Sequence, residues 1–290
     1  MLSEVEAEVA HGGAAHAEQA ADPGQQILHH ILDANVIEIP FSSKVIPLPT
    51  IHLPEALPLL GGVDISITKH VVMMWIACAI LLLMFGRAAR HAKDPVPRGL
   101  RNMLEVLIVF LRDEVIRKSI PHGADRYVPY LMTTFFFILT CNLLGLVPSM
   151  ATATGNISVT AGLAVLAFIM IQAGGIREYG VIKHFKNLVP PGLPLWLVPI
   201  MFVLELLSMF IKPFALCIRL FANMMAGHVV ILAFIFLIFI LNDVWYVVAP
   251  LSVAFALFVY LLEILVALLQ AYIFTMLTAQ FIGMSVHPAH

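Results

Sequence analysis

Charge is what this sequence has little of. Lys and Arg number 16 and Asp and Glu 18 among 290 residues, 12% together, where soluble domains carry about 25%. Hydrophobic residues make up 61% and mean hydropathy is +0.95, so a soluble globular domain is excluded and the chain is an integral membrane protein. Cysteine is scarce too. Cys78, Cys141 and Cys217 sit in apolar runs without metal-ligand spacing, which favours small core hydrophobes over redox or ligation roles. No P-loop or other nucleotide signature is present, so nucleotide chemistry belongs to a partner. The first residues hold no basic stretch before an apolar core, which excludes a signal peptide, and they are not Arg-rich as a transit peptide is. No solenoid or inverted repeat occurs, which weakens a secondary-transporter assignment. Neither a cofactor nor a nucleic-acid partner is implied.

The few charges are segregated. Residues 1–64 carry nine acids, Glu4, Glu6, Glu8, Glu18, Asp22, Asp33, Glu38, Glu55 and Asp64, against Lys44 alone. His11, His16, His29 and His30 are scattered there among Ala and Gly, a pattern of solvated side chains more than of metal ligands. Ile39 to Pro58 is Pro-rich and reads as extended pieces and turns. Nine basic residues then lie between Arg87 and Arg126. The positive-inside rule puts that stretch in the cytoplasm and the acidic N-terminus outside.

Apolar runs long enough to cross a bilayer are expected at 65–86, 130–147 and 157–173. Between the first two, residues 98–118 place Leu100, Met103, Leu104, Leu107, Ile108, Leu111 and Val115 on one helical face. Such an amphipathic helix lies on the cytoplasmic membrane surface or packs against a partner protein. Residues 195–241 and 247–286 are longer than one upright span of about 20 residues requires. As single helices of about 60–70 Å they exceed the hydrocarbon thickness about twofold, so they must tilt or break. The polar pair Asn242-Asp243 separates them. The expectation is an all-α membrane protein with five membrane helices and a surface helix, the last two helices forming a long, steeply tilted hairpin.

Within 195–241 the formal charges are Glu205, Lys212 and Arg219. Burying an arginine at mid-membrane costs roughly 2.5–3.5 kcal/mol on insertion scales, and arginine stays protonated. A fixed cation in hydrocarbon requires a carboxylate partner. At 100° per residue Glu205, Lys212 and Asn223 fall within about 40° of Arg219, whereas His228 falls on the opposite side. On the next helix Ser252, Glu263 and Gln270 share a face, and Glu263 is the one formal charge. Intramembrane ionisable groups mark ion or proton pathways. One alternative makes Lys212-Pro213 a turn, with Arg219 near lipid headgroups. Against it, the FALCI at 214–218 is apolar, and membrane helices tolerate proline. His228 alone also fits a hydrogen-bonded interior residue. Glu263 is harder to explain away, because an unpaired carboxylate there is expensive.

The run KPFALCIRLFANMMAGH at 212–228 resembles the signature of the a subunits of F-type ATP synthases, as do NLLGLVP at 142–148 and EILVALLQAYIF at 263–274. The resemblance covers most of the chain from about residue 65. It implies that Arg219 is the essential arginine facing a ring of c subunits, each bearing one membrane carboxylate. It implies that Asn223, His228, Glu263 and Gln270, with Ser252 on the same polar stripe, lie along an inlet half-channel and Glu205 on the cytoplasmic exit. The pairing of His228 with Glu263 resembles the mitochondrial and alphaproteobacterial form, and family members that exchange the two residues imply that the sites are neighbours. Asn142 lies where some relatives have an acid, and its role stays open. Implied partners are the c-ring, b-type peripheral-stalk subunits, the catalytic head and membrane lipid. The implied location is a bacterial inner membrane with the N-terminus periplasmic and the C-terminus cytoplasmic. The subunit itself would be non-catalytic. A self-contained proton channel or antiporter is the next-best class, and a purely structural membrane subunit a third.

Overall fold

The computed structural model describes residues 36–38, 45–47, 68–90, 99–147, 152–186, 194, 196–241 and 244–287. The acidic segment 1–64, with its histidines, lies outside the described residues except for two short strands, and so do Asn242-Asp243 and most of the Pro-rich stretch 189–194. The strands, β1 (Val36–Glu38) and β2 (Val45–Pro47), pair antiparallel with Ile37 opposite Ile46.

Everything else described is helical or turn. Helix α1 spans Lys69–Arg90, α2 Leu100–Phe110, α3 Val128–Gly145, α4 Ile157–Tyr179, α5 Val181–Lys186, α6 Val198–Ile240 and α7 Trp245–Val286. Five of these, α1, α3, α4, α6 and α7, are long and apolar enough to cross a membrane. Hydrocarbon offers backbone groups no hydrogen-bond partner, so only a structure that satisfies them internally can cross it. Helix α6 runs unbroken through Lys212-Pro213, and α7 contains Pro250. Neither proline ends its helix, so Arg219 is a mid-helix residue and not part of a turn. Asn156 starts α4 by accepting a hydrogen bond from the backbone N–H of Ser158 at 2.8 Å, a side-chain cap of an otherwise orphaned donor. Gly180, at φ 77°, ends that helix in a conformation that side chains rarely adopt.

The core lies where α3, α4, α6 and α7 meet. Phe135, Phe136, Ile138 and Leu139 of α3 pack with Leu216 and Leu220 of α6 and with Ala271 and Phe274 of α7. The surface helix joins this core through Leu104, Leu111 and Val115. Its register changes after Phe110, where Leu111–Ile116 form a π-helical turn. An extra residue per turn rotates the face that follows, which brings Leu111, Val115 and Ile116 under cover. Leu100 and Met103 remain 44% and 52% exposed. The apolar stripe therefore packs against its own chain at one end and faces outward at the other. Charges collect around the same turn: Asp113 pairs with Arg112 at 2.9 Å and with Arg117 at 3.0 Å, and Arg117 reaches Asp125 at 3.1 Å. The hydrogen bond from Arg112 holds the Asp113 carboxyl below its ordinary range.

The C-terminal end of α7 meets the basic part of the chain. His287 Nε2 lies 3.2 Å from the carbonyl of His122, and Ser285 donates to the carbonyl of Ile171 at 2.9 Å. At that same end His184 is buried and contacts Gln172 at 2.9 Å. Its pKa is lowered from 6.5 by burial.

Candidate functional site

Helices α6 and α7 pack antiparallel along a seam that α6 fills with Pro213, Leu216, Leu220 and Met224, all buried. A step of about 100° per residue sets Asn223 on one flank of that seam and His228 on the other. Arg219 sits one step beyond Asn223, at the border of the outward face. The structure keeps the division expected from the helical wheel. Arg219 and His228 point to different sides.

On the seam, Asn223 Nδ2 donates to Gln270 Oε1 at 2.8 Å. Gln270 is 2% exposed, so its amide is satisfied within the fold. About two turns further along α6, His228 Nε2 lies 3.8 Å from Glu263 Oε1. Glu263 is 3% exposed, and neither of its carboxylate oxygens has a hydrogen-bond partner among the described residues. Two unit charges at such a distance attract by about 4 kcal/mol at an effective dielectric near 20, and desolvation offsets part of that. Gly227 makes the approach possible: a Cβ there would meet Glu263 Oε1 at 2.5 Å.

A second set of polar groups closes over this pair. The short helical turn Ala153–Gly155 between α3 and α4 is preceded by Thr152, whose hydroxyl is hydrogen-bonded to His228 Nε2. Thr154 donates to Asn142 Oδ1 at 2.6 Å, and Asn142 Nδ2 donates to the backbone carbonyl of Ala267 at 3.3 Å. Thr152, Thr154 and Asn142 are all buried. The pattern of the sequence did not single out the two threonines, because an uncharged loop between spans reads as a plain connector. One signal was available. Gly145 faces Thr152, whose side chain occupies the place a Cβ would take, and paired small and hydroxyl residues near a polar stripe mark a close polar contact.

Arg219 is half-buried and has no ion-pair or hydrogen-bond partner among the described residues. Ala215, Ala222 and Ala226 are exposed on the same side of α6, so the ground around the guanidinium is low and open. Lys212 Nζ rests 5.4 Å from the ring centroid of Phe281, within cation–π range. The remaining expected residues lie apart. Glu205 is half-buried about 21 Å along the α6 axis from Arg219, and Ser252, buried at 3% exposure, is about 16 Å along α7 from Glu263 at 1.5 Å per residue. Among the described residues no three His, Cys, Asp or Glu side chains are grouped as a metal site.

The arrangement separates a fixed, outward-facing cation from a buried acid–imidazole pair that has hydroxyl neighbours. It can hold a proton on one side of α6 and attract an external anion on the other. Residues 71–283 match the family described as ATP synthase A chain. The chain is 51% identical over 297 residues to ATP synthase subunit a of Chloroherpeton thalassium, an alignment covering 98% of this chain and 86% of that one. It is 47% identical over 294 residues to ATP synthase subunit a 2 of Chlorobium luteolum, covering 94% and 83%. ATP synthase subunit a of Anaeromyxobacter sp. is 48% identical over 309 residues, covering 96% and 75%.

Proposed function

The chain belongs to the ATP synthase A chain family and is the proton-translocating stator subunit of an F-type ATP synthase; from that premise we propose that it forms two offset half-channels against a ring of c subunits. The observation that carries this is the state of Arg219, a half-buried cation at mid-helix with no partner among the described residues. A membrane-buried cation requires an anion, and the acid of α7 is engaged on the other side of the seam, 3.8 Å from His228. The missing carboxylate therefore comes from another chain.

In this mechanism a proton enters from the periplasmic side past His228 and Glu263, with Asn223, Gln270 and Ser252 on the same route. It passes to a c-subunit carboxylate, which then turns away into lipid. After nearly a full rotation the carboxylate reaches the exit side near Glu205 and releases its proton to the cytoplasm. Arg219 stabilises each ionised carboxylate as it passes. It also bars protons from crossing directly between the half-channels. The attraction is about 4 kcal/mol for charges about 4 Å apart at an effective dielectric near 20, reduced by desolvation, so rotation can break it. The chain acts in the ATP synthase complex, with b-type stalk subunits and a catalytic head as further partners. It sits in a bacterial inner membrane, N-terminus periplasmic and C-terminus cytoplasmic.

Isolation in mild detergent tests this assignment. The expected result is co-purification of a ring of small, very apolar subunits and a catalytic head, with negligible proton conduction by this chain alone. Full conduction by the isolated chain in vesicles would support a self-contained channel instead.

A further inference from the structure

We propose that Thr152 is a positioning residue of the proton inlet, holding the His228 imidazole against Glu263 and serving Nε2 in both protonation states. This rests on the inlet assignment made above. The same ring nitrogen that is hydrogen-bonded to Thr152 is the one 3.8 Å from Glu263 Oε1. A relay imidazole must be held whether it carries one proton or two. A neutral ring whose Nε2 is bare needs a donor there, whereas a ring protonated at Nε2 needs an acceptor. A hydroxyl rotates to be either. Thr152 can thus donate to Nε2 before the proton arrives and accept from it afterwards, while the ring stays in place beside the acid.

Three further features fix Thr152. It is 6% exposed, so its hydroxyl is removed from competing solvent. Its side chain fills the notch left by the missing Cβ of Gly145. Two residues on, Thr154 bonds Asn142 at 2.6 Å, and Asn142 bonds the carbonyl of Ala267 at 3.3 Å, one helical turn from Glu263. The loop that carries Thr152 is therefore anchored to the helix that carries the acid. A displacement of one would be shared by the other, which keeps the imidazole-to-carboxyl distance constant.

The test uses the whole ATP synthase in inverted membrane vesicles, with ATP synthesis driven by an imposed proton gradient. Thr152→Val and Thr152→Ala remove the hydroxyl, Thr152→Ser keeps it, and His228→Gln is measured alone and with Thr152→Val. Loss of one hydrogen bond predicts a rate about two- to tenfold lower for the Val and Ala variants, with complex assembly unchanged. The Ser variant is expected close to the unaltered rate, and Thr152→Val is expected to add nothing once His228 is replaced. The proposal is overturned by an unaltered rate in Thr152→Val, by a Ser variant as slow as Val, or by a further loss in the double variant. Failure of both Val and Ala variants to assemble beside a normal Ser variant would equally overturn it, in favour of a folding role. An unaltered rate in His228→Gln would instead overturn the inlet assignment itself.

Discussion

The two sides of helix α6 solve opposite problems. On the seam side, His228 and Asn223 find Glu263 and Gln270 within 3.8 Å and 2.8 Å, and threonine hydroxyls complete the setting. On the outward side, Arg219 has no polar partner among the described residues and small alanines around it. A buried acid that is accommodated inside the fold can take up and give back a proton without reorganising the protein. A cation left unsatisfied is a binding site for something that comes and goes. The difference separates the inlet from the barrier on a single helix, and it explains why the stator cannot work without its rotor.

Breaking the outward side should have the largest effect. Arg219→Lys keeps the charge but loses the planar guanidinium and gains a group that can deprotonate. ATP-driven proton pumping in vesicles should fall to background with the complex assembled, and normal pumping would refute the role given to Arg219. Breaking the seam side should slow transport without disconnecting it. Glu263→Gln removes the titrating group and should lower the synthesis rate by about tenfold or more, while the c-ring stays bound. Loss of the ring from the purified complex would make Glu263 structural instead. A smaller change sharpens the comparison further. Asn223→Ala strips Gln270 of its partner, a loss worth about two- to tenfold in rate if that hydrogen bond orders the inlet. An unaltered rate would confine Asn223 to packing.

The smallest effect is expected away from both sides. His184, buried next to α4, has its pKa lowered by that burial, so the folded state binds fewer protons than the unfolded chain. The corner around α5 is therefore favoured above the ordinary value of 6.5 and loses stability as pH falls through it. Amide exchange in Val181–Lys186, corrected for intrinsic rates, should quicken at pH 5.5 relative to 7.5. His184→Gln should remove that difference, and a difference that survives the substitution would contradict the cause given.

Much of this was visible in the residues alone, and the reason is physical. Hydrocarbon demands long apolar helices, so α3, α4, α6 and α7 announce themselves by hydropathy, and the apolar FALCI segment already argued against a turn at Pro213. The wheel positions of Arg219, Asn223 and His228 follow from helical periodicity, which is local. The inlet loop does not. Thr152 meets His228 from 76 positions away and Asn142 meets Ala267 from 125, and no local pattern encodes such a pairing. The π-helical turn at Leu111–Ile116 was hidden for a related reason. Its extra residue shifts the buried stripe, so that Leu100 and Met103, in phase with Leu111 on an ideal wheel, remain outside.

The most direct test asks what lies against the outward side of α6. A photo-crosslinking residue placed at Ala222, beside Arg219, would be activated in the intact complex and its adduct weighed. The account predicts a covalent product with the small, very apolar ring subunit, changing as the rotor is turned by ATP. A product with lipid alone, at rest and during turnover, would show that no rotor passes Arg219 and would contradict the account.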